Sequence, residues 1–497
     1  MLCTLLATWQ ASAPASAPAA AKDAANDGHS KRYAVVISSA TWEDADWRAV
    51  AEALLKKHQG WPVIYEESLA DALPELAREH PRYTCFVARP EETSRSFVAD
   101  VHRLTRRYDR DPYTDTFWGI LTGRDAANAL VIATTASPLV VRRVLSGTEV
   151  ALQMCREGFW FDELEQNKLV RREAGGEIQV QRGPDDTTEA FVQALNEYQP
   201  DLLVTSGHAT ERDWQMGYRY RNGSLRSQDG QMRGVDTRGR TFAVNSPNPK
   251  IYLPVGNCLM GHIDGLDAMA LAWMNDVGVR QMIGYTVPTW YGYAGWGCLD
   301  YFVEQPGRYT LAEAFLANQH ALVDRLQRFF SGLDEAGAGP AEPGRGLQVT
   351  AAGKSQGLEV TDGRGLLFDR DVVAFYGDPA WEARMAEQPL AYEQTWTQSD
   401  GEYTLSVRPV RGAASFRPIN RNGSQRGGRP IVQFFPRRFE EIQIVQGAEL
   451  APVVADDFLL LPNPGETAGA GELVVRFTAR EVRRPAAPPT EANRAAP

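Results

Sequence analysis

The chain has 497 residues, 43% of them hydrophobic and 23% charged, and a formal net charge of −11. That length exceeds one ordinary domain, that composition belongs to a globular protein, and that acidity argues against nucleic acid as the main partner. No stretch reaches the ~18 consecutive apolar residues that a membrane-spanning helix needs.

Residues 1–30 combine a short apolar run with Ala-Ser-Ala and Ala-Pro-Ala repeats. They read as a signal or disordered leader, with no Lys or Arg ahead of the apolar run, and the expected location is secreted, periplasmic or cell-surface. Order begins at the strand Arg32–Ser38. A helix over Asp46–Gln59, a strand at Val63–Tyr65, a helix over Leu69–Glu79, a strand at Tyr83–Ala88 and a helix over Phe97–Tyr108 follow. Strands alternating with helices predict a parallel α/β layer over 31–135.

Asp111–Gly123 reads as loop, Leu130–Thr134 as strand or helix, and Leu152–Phe161 as partly helical. Ile178–Gln181 is a short strand and Thr187–Tyr198 a helix. Two apolar runs come next, Asp201–His208 and Lys250–Cys258. The polar, arginine-rich segment Gly217–Pro249 between them carries the hairpin signals Asn222-Gly223 and Asp229-Gly230, and reads as a solvated face or a rim for acidic groups. An amphipathic helix (Leu266, Met269, Ala270, Trp273) is expected after Cys258, with its N-terminus near the sulfur. The strand Gln281–Thr286 then opens into an aromatic loop of Trp290, Tyr291, Tyr293 and Trp296. A helix over Leu311–Phe330, a flexible stretch Gly332–Gly346 and a strand ending in Gly377-Asp378-Pro379 complete a second α/β unit, 136–388. Short strands without helices between them predict a β-sandwich over 389–480, and 481–497 is a disordered tail.

The five cysteines (3, 85, 155, 258 and 298) are scattered and form neither a disulfide framework nor a zinc ribbon. Taken alone, His208 reads as a core histidine and Cys258 as a buried thiol. Taken together, they follow two apolar runs of the kind that lie side by side in a parallel sheet. An imidazole and a thiol at one carboxyl edge are what a thiolate nucleophile and its base require. A zinc site of Cys258, His262 and His208 is the competing reading, and the expectation adopted is no metal in the site.

The motifs resemble the gingipain-type cysteine peptidases of the caspase-like clan. Ser206-Gly-His-Ala-Thr-Glu-Arg-Asp-Trp214 is similar to that family's histidine segment, and Gly256-Asn-Cys258 to its nucleophile turn. Ile283–Thr286 with Trp290 is similar to its specificity-pocket wall, and Gly377-Asp-Pro379 to its closing motif. The resemblance implies an α/β fold, a caspase-like parallel-sheet sandwich with helices on both faces, followed by a small immunoglobulin-like β-sandwich. It implies a cysteine endopeptidase acting on protein or peptide substrates, with Cys258 as nucleophile, His208 as base, and the backbone at Gly207 and Ala209 as oxyanion donors. Thr286, Trp290 and Tyr291 would line the pocket. Ala209 stands where the family has Gly, Pro254 interrupts the Cys258 strand, and Ala133–Pro138 holds no acid, leaving Glu211 and Glu149 as candidate orienting or specificity acids. No cofactor is expected for the chemistry, a structural calcium ion is left open, and the oligomeric state is unspecified. A catalytically degenerate scaffold and another acyl transfer on the same pair are the alternatives.

Overall fold

The structure, a computed structural model, describes residues 32–333, 346–465 and 471–482. The expected leader, most of Gly332–Gly346 and most of the tail lie outside the described residues. One twelve-stranded sheet organises the rest. Its strands in chain order are β1 (Tyr33–Ser38), β2 (Trp61–Tyr65), β3 (Tyr83–Val87), β4 (Phe117–Leu121), β5 (Arg143–Ser146), β6 (Glu157–Phe161), β7 (Lys168–Arg172), β8 (Ile178–Arg182), β9 (Leu202–Thr205), β10 (Lys250–Pro254), β11 (Val279–Tyr285) and β12 (Val373–Gly377). Across the sheet they lie in the order β2-β1-β3-β4-β12-β11-β10-β9-β5-β6-β7-β8.

Burial on both faces explains why the central strands are continuous apolar runs. All residues of β1, β4, β9, β10 and β12 are buried. Neighbours from β11 to β6 run parallel, so their carboxyl ends share one edge. Strand β12 lies antiparallel to β11, with Val373 opposite Tyr285 and Gly377 opposite Gln281. The sheet is continuous across residue 135, because β4 and β12 are neighbours through Ile120 and Tyr376.

Several expectations are corrected or narrowed. Asp111–Gly123 contains β4, a central strand rather than a loop. The run is only five residues, and Gly119, which weakens its apolar signal, is required because a Cβ there would stand 2.4 Å from Gly377 O. Leu130–Thr134, which read as strand or helix, is helical, within Ala126–Thr134. Leu152–Phe161 is helical in part, as a single 3₁₀ turn over Leu152–Met154, and its second half is β6. After Cys258 no helix forms until Met269–Asn275, and Leu266 is 51% exposed. Tyr293 and Trp296 belong to a buried helix, Tyr293–Phe302, rather than to a loop.

Between β9 and β10 the polar segment folds into a four-stranded antiparallel sheet. Asp229 and Gly230, at φ 53° and 72°, make its tight turn, as the pair predicts. The arginines at 221, 226, 238 and 240 are exposed.

The C-terminal strands form two antiparallel sheets, one of four strands and one of three. Tyr403, Leu405, Phe435, Phe439, Leu459, Leu461, Val475 and Phe477 pack between them. The three-stranded sheet is buried on both faces: Ile431, Leu459 and Leu461 face this cluster, whereas Val432, Phe458 and Leu460 join the α/β core. The contact includes the helix Leu311–Phe329, whose His320 ring lies 4.2 Å from that of Phe458, as well as Tyr113 against Phe458 and Phe117 against Phe434.

Asp378 latches the edge of the sheet opposite the β11 carboxyl end. It is 1% exposed and accepts from Tyr33 Oη at 2.8 Å, Lys57 Nζ at 2.9 Å and the His58 ring at 2.7 Å. Burial pushes its carboxyl up, but the hydrogen bond and charge of His58 and the charge of Lys57 outweigh this and hold it down at about 2. The resulting stabilisation is full above pH ~4 and is lost as pH falls towards 2, roughly 2 kcal/mol in all. Asp378→Asn is therefore expected to lower unfolding free energy at pH 7 by about 3 kcal/mol in urea titrations and to flatten the stability loss between pH 4 and 2.

Candidate active site

Strands β9 and β10 pair in parallel from Leu202 opposite Ile251 to Thr205 opposite Pro254. The chain leaves β9 through Ser206-Gly207 to His208 and leaves β10 through Val255-Gly-Asn to Cys258, so both side chains emerge at the same sheet edge. Pro254 is tolerated because ladder pairing to β11 ends at Tyr252, while Val255 N–H continues the pairing to Thr205 O at 3.0 Å.

Asn257 joins the two exits. It is fully buried, accepts from Thr205 Oγ1 at 2.6 Å and donates through Nδ2 to Gly207 O at 3.2 Å. The residue before Cys258 is thus bonded to the residue before His208. Gly207 has φ 96°, and a Cβ there would stand 3.3 Å from Glu163 Oε2. The left-handed conformation falls at Gly207 and not at Ala209, so Ala in place of Gly at 209 carries no backbone penalty. Gly256 passes under Ser206 Oγ and the Trp296 ring, at 2.6 and 3.0 Å from a hypothetical Cβ.

Cys258 is partly exposed, and its Sγ accepts the Thr289 N–H at 3.2 Å. Thr289 Oγ1 also donates to Asn257 O at 3.1 Å. That amide, from the loop after β11, stands where a helix N-terminus was expected. Cys85, Cys155 and Cys298 are buried; burial pushes the first thiol up strongly and the other two to about 12. The exposed His208 ring lies 4.8 Å from that of Tyr218. Among the described residues, neither the Cys258 nor the Ala209 N–H has a backbone acceptor.

The expected acids fall elsewhere. Glu211 bonds His262 Nδ1 at 3.2 Å, which links the two reactive loops a few residues beyond His208 and Cys258. His262 is therefore engaged with a carboxylate, and it belongs to no metal-capable cluster among the described residues. Glu149, beyond β5, is partly buried with its carboxyl pushed up by burial, and its carbonyl accepts from Asn420 Nδ2 at 2.8 Å. Of the pocket residues, Thr286 is buried with its N–H and hydroxyl on Val372 O, and Tyr291 is buried with its hydroxyl on Asp362. Trp290 is 52% exposed and presents an open aromatic face.

Sequence reasoning missed Glu163. It is the second residue after β6, and the Asp162-Glu163 pair at the carboxyl end of the apolar run Gly158–Phe161 was the signal available. The residue is 5% exposed. Oε1 accepts from Thr148 Oγ1 at 2.6 Å; buried Oε2 makes no well-formed hydrogen bond, with the Ser206 hydroxyl and the Asn422 carboxamide close enough to favour the ionised carboxyl. Burial pushes its carboxyl up to about 7. Its carbonyl receives the N–H groups of Tyr218 and Arg219, which ties it to the loop that packs on His208. For a calcium ion, the described residues offer Asp109, Asp111 and Asp115, with ligand oxygens within 4.8 Å of one another on the loop before β4.

No family model matches the chain, and no curated protein matches it. Among solved structures it overlaps the Arg-specific cysteine proteinase gingipain R (RgpB) at 10% identity, over 92% of this chain and 99% of that one, with a TM-score of 0.44. The complex of Porphyromonas gingivalis RgpB pro- and mature domains matches at 10% identity and TM-score 0.44, over 91% and 99%. At this level of overlap, the fold and its chemistry stand on the residues themselves.

Asn257→Ala would leave the Gly207 carbonyl without its Nδ2 donor and leave the Thr205 hydroxyl with Tyr252 Oη alone, at 2.8 Å. It is expected to cost about 2 kcal/mol in urea unfolding, with the mobility of both exits rising in hydrogen exchange.

Proposed function

We propose that the protein is a cysteine peptidase of the gingipain-like kind, with Cys258 as nucleophile and His208 as general base. The observation that carries this reading is the Asn257–Gly207 bond, which ties the backbones immediately before the thiol and the imidazole at one sheet edge.

The chemistry follows from that pairing. His208 takes the Cys258 proton, and the sulfur attacks a peptide carbonyl carbon. The carbonyl oxygen becomes an oxyanion that the unengaged N–H groups of Cys258 and Ala209 can receive. The C–N bond breaks as His208 returns the proton to the leaving amine, and a thioester remains. Water, deprotonated by His208, attacks the thioester; the acid departs and the thiol is restored. The Thr289 N–H stabilises the thiolate before attack.

Glu163 supports a substrate class. A buried carboxylate oxygen without a well-formed hydrogen bond, beside the His208 loop, suits a cationic side chain, whose charge would draw the carboxyl into its ionised form. The preferred substrate is then a peptide with Arg or Lys before the scissile bond, and the C-terminal layer is an immunoglobulin-like sandwich. An alternative acyl transfer on the same pair would share the thioester and differ in its acceptor.

A fluorogenic peptide library tests the reading. Wild type is expected to hydrolyse members with Arg or Lys before the reporter. Cys258→Ala should abolish turnover, His208→Ala should lower kcat/KM by about 100-fold or more, and Glu163→Gln should lose the basic preference. No turnover of any member by wild type, with no thioester adduct in intact mass spectra, would contradict it.

A further inference from the structure

The C-terminal layer sends one long connection back over the catalytic edge. After the strand Glu402–Pro409 the chain runs as a strap, Arg417–Arg429, before entering the three-stranded sheet at Ile431. At one end it grips the loop after β5: Asn420 Nδ2 donates to Glu149 O, and Asn422 Nδ2 donates to Thr148 Oγ1 at 3.2 Å. At the other end it grips the helix that follows the Thr289–Trp290 loop. Gly423 lies against the Trp296 ring, with a hypothetical Cβ 2.3 Å from it, and the Arg429 guanidinium sits 3.6 Å from the Tyr293 ring centroid. Between these ends, Arg426 bridges Asp300 at 2.7 Å and Glu304, while Glu304 receives the N–H groups of Ile419 and Asn420. All three charged side chains are less than 10% exposed.

A paired, hydrogen-bonded charge cluster in a dry interface tolerates few arrangements, so the strap has one defined path. Its contact with Thr148 continues inward. Thr148 Oγ1 has a single proton and gives it to Glu163 Oε1, so as an acceptor it takes the Asn422 N–H. The donor chain Asn422 to Thr148 to Glu163 runs from the C-terminal layer to the carboxylate beneath Gly207.

We infer that Asn422 is a positioning residue: through Thr148, and by its own carboxamide beside the carboxyl, it fixes Glu163, so the C-terminal layer is a working part of the site. The functional consequence rests on the peptidase reading; the positioning does not. Thr148, the Ser206 hydroxyl and the Asn422 carboxamide favour the ionised carboxyl while burial and the Asp162 charge oppose it, so removing Asn422 raises the pH at which Glu163 titrates.

The test is infrared titration of the full-length protein, with the Glu163 carboxyl band identified by its loss in Glu163→Gln. Asn422→Ala and the near-isosteric Asn422→Asp, which removes the donor and adds a charge, are expected to move the midpoint upward. Arg480→Ala, in an exposed pair with Glu441, is expected to leave it in place. In an active enzyme the Asn422→Ala substitution should raise KM for a basic substrate about five-fold with a smaller change in kcat. Midpoints that coincide with wild type in both Asn422 variants would overturn the inference. A wild type that cleaves no peptide would sink the peptidase reading alone, because the midpoint shift still decides the positioning.

Discussion

The hydrogen bond from Asn257 Nδ2 to Gly207 O is the constraint on which the site depends. Parallel pairing of β9 and β10 brings two chain exits to the same edge, but exits are free to splay. Asn257 removes that freedom. Its carboxamide is buried with both ends engaged, to Thr205 on one side and Gly207 on the other, so any displacement of one exit strands a polar group. The glycines on either side are there for space and conformation: Gly207 for its positive φ, Gly256 for the Ser206 hydroxyl and Trp296 ring pressed against it.

Two further layers hold that edge in place. At the far edge, Asp378 ties the end of β12 to β1 and to the helix Ala45–His58, which makes the two α/β units one sheet. At the near edge, the strap from the C-terminal layer closes over the loops after β5 and β11. The three-stranded sheet, apolar on both faces, explains why this layer is inseparable from the body: peeling it away would expose Val432, Phe458 and Leu460 together with the His320 face of the helix beneath.

Much of the scaffold was legible in the sequence. The strand and helix alternation from Tyr33 to Thr105 was clear because buried parallel strands are unbroken apolar runs and the helices carry caps and stripes. The Asp229-Gly230 turn was clear because only such pairs take two successive positive φ values cheaply. His208 and Cys258 stood out as reactive side chains at the ends of two such runs. Strand β4 was not legible, since Gly119 and the polar residues before Phe117 mask five buried positions. The helix after Cys258 was expected too early because Leu266 mimics the apolar stripe while facing solvent. Glu163 and Asn257 are polar residues whose roles come from neighbours 15 to 52 positions away, and no local pattern carries such information. The strap is harder still, being a Gly/Arg/Asn-rich segment that reads as solvated loop until its partners Asp300, Glu304 and Trp296 are placed beside it.

In the proposed function, Cys258 is an activated thiol served by His208. The most direct measurement is the rate of iodoacetamide labelling of each cysteine at neutral pH, resolved by peptide mass spectrometry, in wild type and His208→Ala. Fast labelling is expected at Cys258 alone, with Cys85, Cys155 and Cys298 protected by burial, and a marked slowing at Cys258 when His208 is removed. Labelling at Cys258 no faster than that of a free thiol in solution, or a rate indifferent to His208, would contradict it.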